Sequence, residues 1–178
     1  MRCIAKFAIA SLLLALPVSS DAAWELGLES VAPTGDFENF AGGGGGLYVN
    51  IYREANENLY QNLYVGALAY GGISIPETDF NYAGEIQWYG YPITVGGTYY
   101  LNGIESGGAF VKANAGALIK LGTVESMGIE QDESETGTVL SVGGGFDFGA
   151  VNIAADYNFG SDDWTWFAIK AAYRFGRN

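Results

Sequence analysis

The fold turns on residues 164–175, W-T-W-F-A-I-K-A-A-Y-R-F. Successive side chains of a strand point to opposite sides. Taken in twos, Thr165, Phe167, Ile169, Ala171, Tyr173 and Phe175 share one face, and Trp164, Trp166, Ala168, Lys170, Ala172 and Arg174 share the other. The first face carries no charge. The second sets two cations among small alanines, which suits a narrow wet interior better than a broad surface in water. A tilted strand of about ten residues crosses an outer-membrane-type bilayer. The pattern predicts an all-β chain, an eight-stranded antiparallel transmembrane β-barrel of up-and-down topology, with lipid outside and a small polar lumen.

Composition agrees. Charged residues make up 16% of the 178, against roughly 25% in soluble domains, and a membrane barrel explains the deficit by confining charge to loops and lumen. Residues 1–22 read as a secretory signal: Arg2 and Lys6 start it, residues 7–16 form the apolar run, and Ser20 and Ala22 fit a small-residue cleavage site. The run is too short for a transmembrane helix, and no later segment has about twenty continuous apolar residues, so any crossing is made by strands. The barrel is expected to occupy residues 23–178. Cys3, the single cysteine, leaves with the signal, so no disulfide is expected. Of 8 basic and 20 acidic residues, Arg2, Lys6 and Asp21 are also removed, leaving 6 and 19. Phosphates of nucleic acid would be repelled.

Eight strand-like runs follow, near 24–32, 42–53, 59–73, 86–101, 109–123, 138–148, 151–159 and 164–175. In the first, Trp24, Leu26 and Leu28 oppose Glu25, Gly27 and Glu29; in the second, Leu47, Val49 and Ile51 oppose Tyr48, Asn50 and Tyr52. The facing of 59–73 stays open, because both alternating sets are apolar. Residues 109–123 alternate most cleanly, setting Val111, Ala113, Ala115 and Ile119 against Lys112, Asn114, Gly116 and Lys120. Tyr89, Tyr91 and Tyr99 suit a membrane-interface girdle. The glycines at 42–46 relieve crowding in a bent strand; no P-loop lysine or following helix supports a phosphate cradle. Residues 75–85 and the acidic segment 125–137 read as loops, and acidic loop charge gathers after the odd-numbered strands. That places both barrel ends on the periplasmic side.

The chain resembles the small outer-membrane β-barrel family that includes the OmpX type and the membrane domain of the OmpA type. The resemblance rests on Pro33-Thr34-Gly35-Asp36-Phe37, the glycines at 42–46, Phe110-Val111-Lys112-Ala113-Asn114-Ala115-Gly116 and Ala172-Tyr173-Arg174-Phe175. It covers the chain after the signal. It implies a monomer in the bacterial outer membrane whose partners are outer-membrane lipid, lipopolysaccharide and the outer-membrane assembly machinery, with no cofactor. Family members often end on an aromatic residue, whereas Gly176-Arg177-Asn178 follow Phe175 here. The peptidoglycan-binding domain of longer relatives is not expected.

No histidine is present, which removes the usual general base and commonest metal ligand. The chemistry-bearing residues are inward-facing charges: Glu25, Glu29, Lys112, Lys120, Asp147, Asp156, Lys170 and Arg174. Barrel closure sets the first strand beside the last, where Glu25 and Glu29 can meet Lys170 and Arg174. Opposite charges in a narrow lumen pair, because an unpaired buried charge is costly. The network is expected to be a structural plug, with an ion pathway as the alternative; no catalytic or metal site is assigned. Glu130, Asp132, Glu133 and Glu135 in the acidic segment lack EF-hand spacing. The expected function is a non-enzymatic surface protein with acidic outer loops; the alternative is a narrow channel for small solutes or ions. A soluble lipocalin-like barrel is the rival fold.

Overall fold

The computed structural model describes residues 22–39, 41–75, 84–126 and 129–176. Apart from Ala22, the expected signal lies outside the described residues, as does most of the expected loop at 75–85. Eight strands follow: β1 (Ala23–Thr34), β2 (Gly44–Asn56), β3 (Leu59–Ile75), β4 (Gly84–Tyr100), β5 (Gly108–Ser126), β6 (Ile129–Asp147), β7 (Val151–Gly160) and β8 (Thr165–Phe175), with a short 3-10 helix at Gly35–Asn39. Each pairs antiparallel with its neighbours in sequence, and β1 pairs with β8 to close the barrel. Closure leaves the part of the wall in which all eight strands pair without an edge.

The two-residue alternation read in the sequence is the alternation between lumen and exterior. On β8, Trp166, Ala168, Lys170, Ala172 and Arg174 are buried while Phe167, Ile169 and Tyr173 are exposed. The exterior is inverted relative to a soluble protein. Leu28 is 63% exposed, whereas Glu25 is 1% exposed and Arg174 4%. Leu26, Leu47, Val95, Val111, Leu140, Val142, Ile153 and Ile169 extend the apolar belt, far more than a water-exposed sheet carries as one patch. Aromatics border it. At the end bearing the barrel termini, Trp24 stacks on Phe175 at 4.4 Å and Phe146 lies 4.7 Å from Phe148; toward the other end, Tyr157 and Phe159 pair at 4.8 Å. This is a lipid-facing surface with interface girdles, and it rules out the lipocalin-like arrangement.

The structure settles β3. Tyr60, Asn62, Tyr64, Leu68 and Tyr70 face the lumen, while Gln61, Ala67 and Ala69 face out. Large inward tyrosines need space that small neighbours supply. A Cβ on Gly27 would lie 2.4 Å from Cζ of Tyr48, so only glycine on β1 lets that ring cross it. In the glycine run, a Cβ on Gly46 would fall 2.2 Å from the Ala67 carbonyl oxygen on β3, so its role is close strand approach.

One expected loop is not a loop. Most of residues 125–137 continue β5 and begin β6: Glu125 pairs with Glu130, Thr123 with Asp132 and Lys120 with Glu135. β7 reaches only as far as Val139↔Gly160, and β2 only to Gly44↔Tyr70. The wall formed by β3–β6 therefore rises past the rim at the distal end, opposite the barrel termini. Its polar sequence hid the strands, because a sheet with water on both faces needs no apolar alternation.

Candidate functional site

The lumen is filled in layers. At the terminal end, Arg174 of β8 binds two carboxylates: its Nη2 lies 2.6 Å from Glu25 Oε1, and its Nη1 lies 2.5 Å from Asp147 Oδ2. Register makes the first pair, since Glu25 lies directly across the β1–β8 seam from Arg174. Nε of Arg174 also donates to Glu25 Oε1 at 2.9 Å, and Nη2 donates to Tyr100 Oη at 2.7 Å. Tyr100 in turn donates to Asp147 Oδ2 at 3.0 Å, Tyr52 donates to Glu25 Oε2 at 2.7 Å, and Asn152 Nδ2 to Glu25 Oε1 at 3.1 Å. The guanidinium also lies 5.2 Å from the Tyr52 ring centroid, within cation–π reach. Around it pack Tyr60, Phe110 and Ile104. Ile104 belongs to the compact β4–β5 turn, whose backbone bonds to the β2–β3 turn through Ile104 N–H to Glu57 O at 2.8 Å. That turn closes the terminal end.

The middle layer is a second network. Lys170 Nζ lies 3.2 Å from Glu29 Oε2 and 3.0 Å from Asp156 Oδ2, and Lys112 Nζ reaches Asp156 Oδ2 at 3.0 Å. Tyr64 donates to Glu29 Oε1, and the Lys170 ammonium stands 4.0 Å from the Tyr64 centroid. Above it the lumen turns apolar. Val31, Phe37, Leu68, Tyr70, Leu118, Val139, Trp164, Trp166 and Ala168 form one buried cluster. Phe37 arrives from the 3-10 helix, folds into the mouth and stacks on Trp164 at 4.3 Å. This layer separates the two ionic networks from the distal surface.

Lys120 stands apart from the other predicted lumen charges. It lies at the distal rim, 2.8 Å from Asp162 Oδ2 and 3.4 Å from Glu135 Oε2, and also donates to the Ser161 carbonyl at 3.2 Å. Hydrogen bonds from Lys120 and Ser161, with the lysine's charge, hold the Asp162 carboxyl below the usual aspartate range. The other seven fall into the two deeper networks: Glu25, Asp147 and Arg174, and Glu29, Lys112, Asp156 and Lys170. Sequence reasoning left out the tyrosines that complete them. Tyr48 and Tyr52 share the parity of inward-facing Asn50, which was the available signal. Tyr60 and Tyr64 lie on the strand whose facing was ambiguous, and Tyr100 ends β4. Among the described residues, no group of three or more carboxylates, histidines or cysteines is arranged to hold a metal ion.

No protein-family profile matches the chain, and no curated protein sequence matches it. Solved structures do. The chain is similar to Ail, the attachment invasion locus protein of Yersinia pestis, solved in complex with the heparin analogue sucrose octasulfate, at 18% identity and TM-score 0.61, covering 86% of this chain and 97% of that one. It is also similar to neisserial surface protein A, at 12% identity and TM-score 0.54 over 89% of this chain and 98% of that one. A third likeness is to the N-terminal β-barrel domain of Pseudomonas aeruginosa OprF, at 13% identity and TM-score 0.52, covering 86% and 97%. Across so little identity, what is shared is the fold, that of small eight-stranded outer-membrane barrels.

Proposed function

We propose that this outer-membrane barrel is a non-enzymatic surface protein: a sealed, rigid anchor that holds an acidic, raised sheet outside the cell. The carrying observation is the filled lumen. Two ion-paired networks and an apolar layer lie in series along the axis, and an eight-stranded barrel is just wide enough for side chains to fill. The absence of histidine and the pairing of all four lumenal carboxylates among the described residues with cations support a structural role over acid–base chemistry.

The raised wall supplies the interaction surface. With the termini at the periplasmic side, the strand extensions of β5 and β6 stand outward, with Asp132, Glu133 and Glu135 exposed. Outer-membrane lipid surrounds the belt, and the chain works as a monomer. Contact with lipopolysaccharide phosphates at the outer leaflet is indirect, through divalent cations. The only basic side chain at the distal end among the described residues is Lys120, which is buried.

Single-channel recording in planar bilayers tests the sealed lumen, with Lys170→Met alongside wild type. Silence from correctly folded protein is the expected result. Discrete openings whose conductance changes in Lys170→Met would replace the anchor with a narrow channel.

A further inference from the structure

At the distal mouth a cavity of about 200 Å³ is bounded by Phe37, Trp88, Trp164, Asp36, Asp162 and Asp163. Its residues come from three separate places: the 3-10 helix after β1, the outer part of β4, and the β7–β8 turn. The aromatics form the floor, since Phe37 and Trp164 are buried, and the three aspartates form an exposed rim. Trp88 meets Trp164 edge-on at 5.3 Å. The floor is held in place by packing. A Cβ on Gly122 of β5 would lie 2.4 Å from the Trp88 ring, so glycine there lets the indole lie across the wall.

We propose that this cavity is a binding site for a small organic ammonium group. Aromatic rings attract cations through their negative faces, and a carboxylate rim supplies the countercharge. The protein itself displays this chemistry at the cavity's margin: the Lys120 ammonium lies 5.4 Å from the Trp164 ring centroid and 2.8 Å from Asp162. One lysine does not neutralise the rim, because Asp36 and Asp163 stand with Asp162 around the opening and Glu135 also faces Lys120. The surrounding surface strengthens the selection. Glu38, Asp132 and Glu133 are exposed at the same end, so the local field draws cations and repels anions. Volume sets the size of the ligand. Drug-sized pockets enclose about 300–1,000 Å³, whereas this one accepts an alkylammonium head group and leaves the rest of a longer molecule outside.

The site at the mouth does not depend on the sealed lumen, since binding there is read without conductance. The test uses mature protein refolded in detergent micelles at constant ionic strength. Choline is titrated and the line width of its trimethylammonium resonance followed, with n-butylammonium as a primary-amine arm and uncharged 3,3-dimethylbutanol as an isosteric control. Saturable broadening by either cation is expected, with affinity about tenfold weaker in the Asp36→Asn/Asp163→Asn double variant and in Trp88→Leu. A stronger response to choline assigns the site to quaternary head groups, and a stronger response to n-butylammonium assigns it to primary amines. The absence of saturable broadening, unchanged affinity in the double variant, or an equal response to 3,3-dimethylbutanol would overturn the proposal. The two aspartates are exposed, so the double variant keeps the test valid if Trp88→Leu fails to fold by heat-modifiable gel mobility.

Discussion

Arg174 and Lys120 hold the same kind of site at opposite ends of one barrel. Each is a buried cation between two carboxylates. The carboxylates around Arg174 belong to Glu25 and Asp147, whose side chains are 2% and 0% exposed; those around Lys120 belong to Glu135 and Asp162, at 57% and 60%. Dielectric makes the difference. A buried charge that loses its partner has no water to replace it, while an exposed carboxylate released from a lysine is resolvated at once. The terminal cluster is therefore a structural clamp, and the distal one an adjustable rim. Strand context reinforces the contrast, because Arg174 also bonds to Tyr100 across the lumen and closes the β1–β8 seam through Glu25.

Arg174→Met should destabilise the barrel most. It leaves Glu25 and Asp147 buried without their cation, at a cost of about 3–5 kcal/mol, read as a lowered urea midpoint in lipid vesicles. A loss below 1 kcal/mol would mean that tyrosines and water suffice to hold the two carboxylates. Ile169→Lys places a charge on the exposed apolar face of the same strand. It should cost roughly 2–4 kcal/mol if Ile169 sits near the bilayer midplane, and equal stability in lipid would show that this face does not meet hydrocarbon. Lys120→Met should cost less than about 1 kcal/mol, because its partners are solvated, and added salt should shrink even that difference.

The smallest effect concerns acid. The depressed Asp162 carboxyl contributes stability above the ordinary aspartate range and loses it as pH falls through its lower folded value. Wild type and Lys120→Met should therefore converge in stability on acidification, in parallel unfolding titrations. A gap that stays constant down to strongly acidic pH would assign the Lys120 effect to packing on Trp164 instead.

The barrel was legible wherever one face met lipid and the other met the lumen. On β1, β2, β5 and β8 this gives strict alternation, and the same parity sets Glu25 and Glu29 facing Arg174 and Lys170 across the seam. The legibility failed for two physical reasons. β3 has apolar residues on both faces because its lumen side is lined by tyrosines, which read as apolar in a pattern although Tyr64 donates a hydrogen bond to Glu29 inside. The outer parts of β5 and β6 have water on both sides, so Glu130, Asp132 and Glu135 gave the composition of a loop while their backbones form a ladder.

The alternation, the facing of most strands, the seam pairings and the charge balance follow from the order of amino acids, because these depend on neighbours two residues apart and on which strands close the barrel. Tertiary structure alone decided how the charges divide: Lys112 joins Lys170 on Asp156, Asp147 joins Arg174, and Lys120 is left to the rim. It also decided that Phe37, Trp88 and Trp164, widely separated in the chain, share one cavity with three aspartates. Such meetings are set by stagger and side-chain reach across the lumen, and local spacing along the chain carries no record of either.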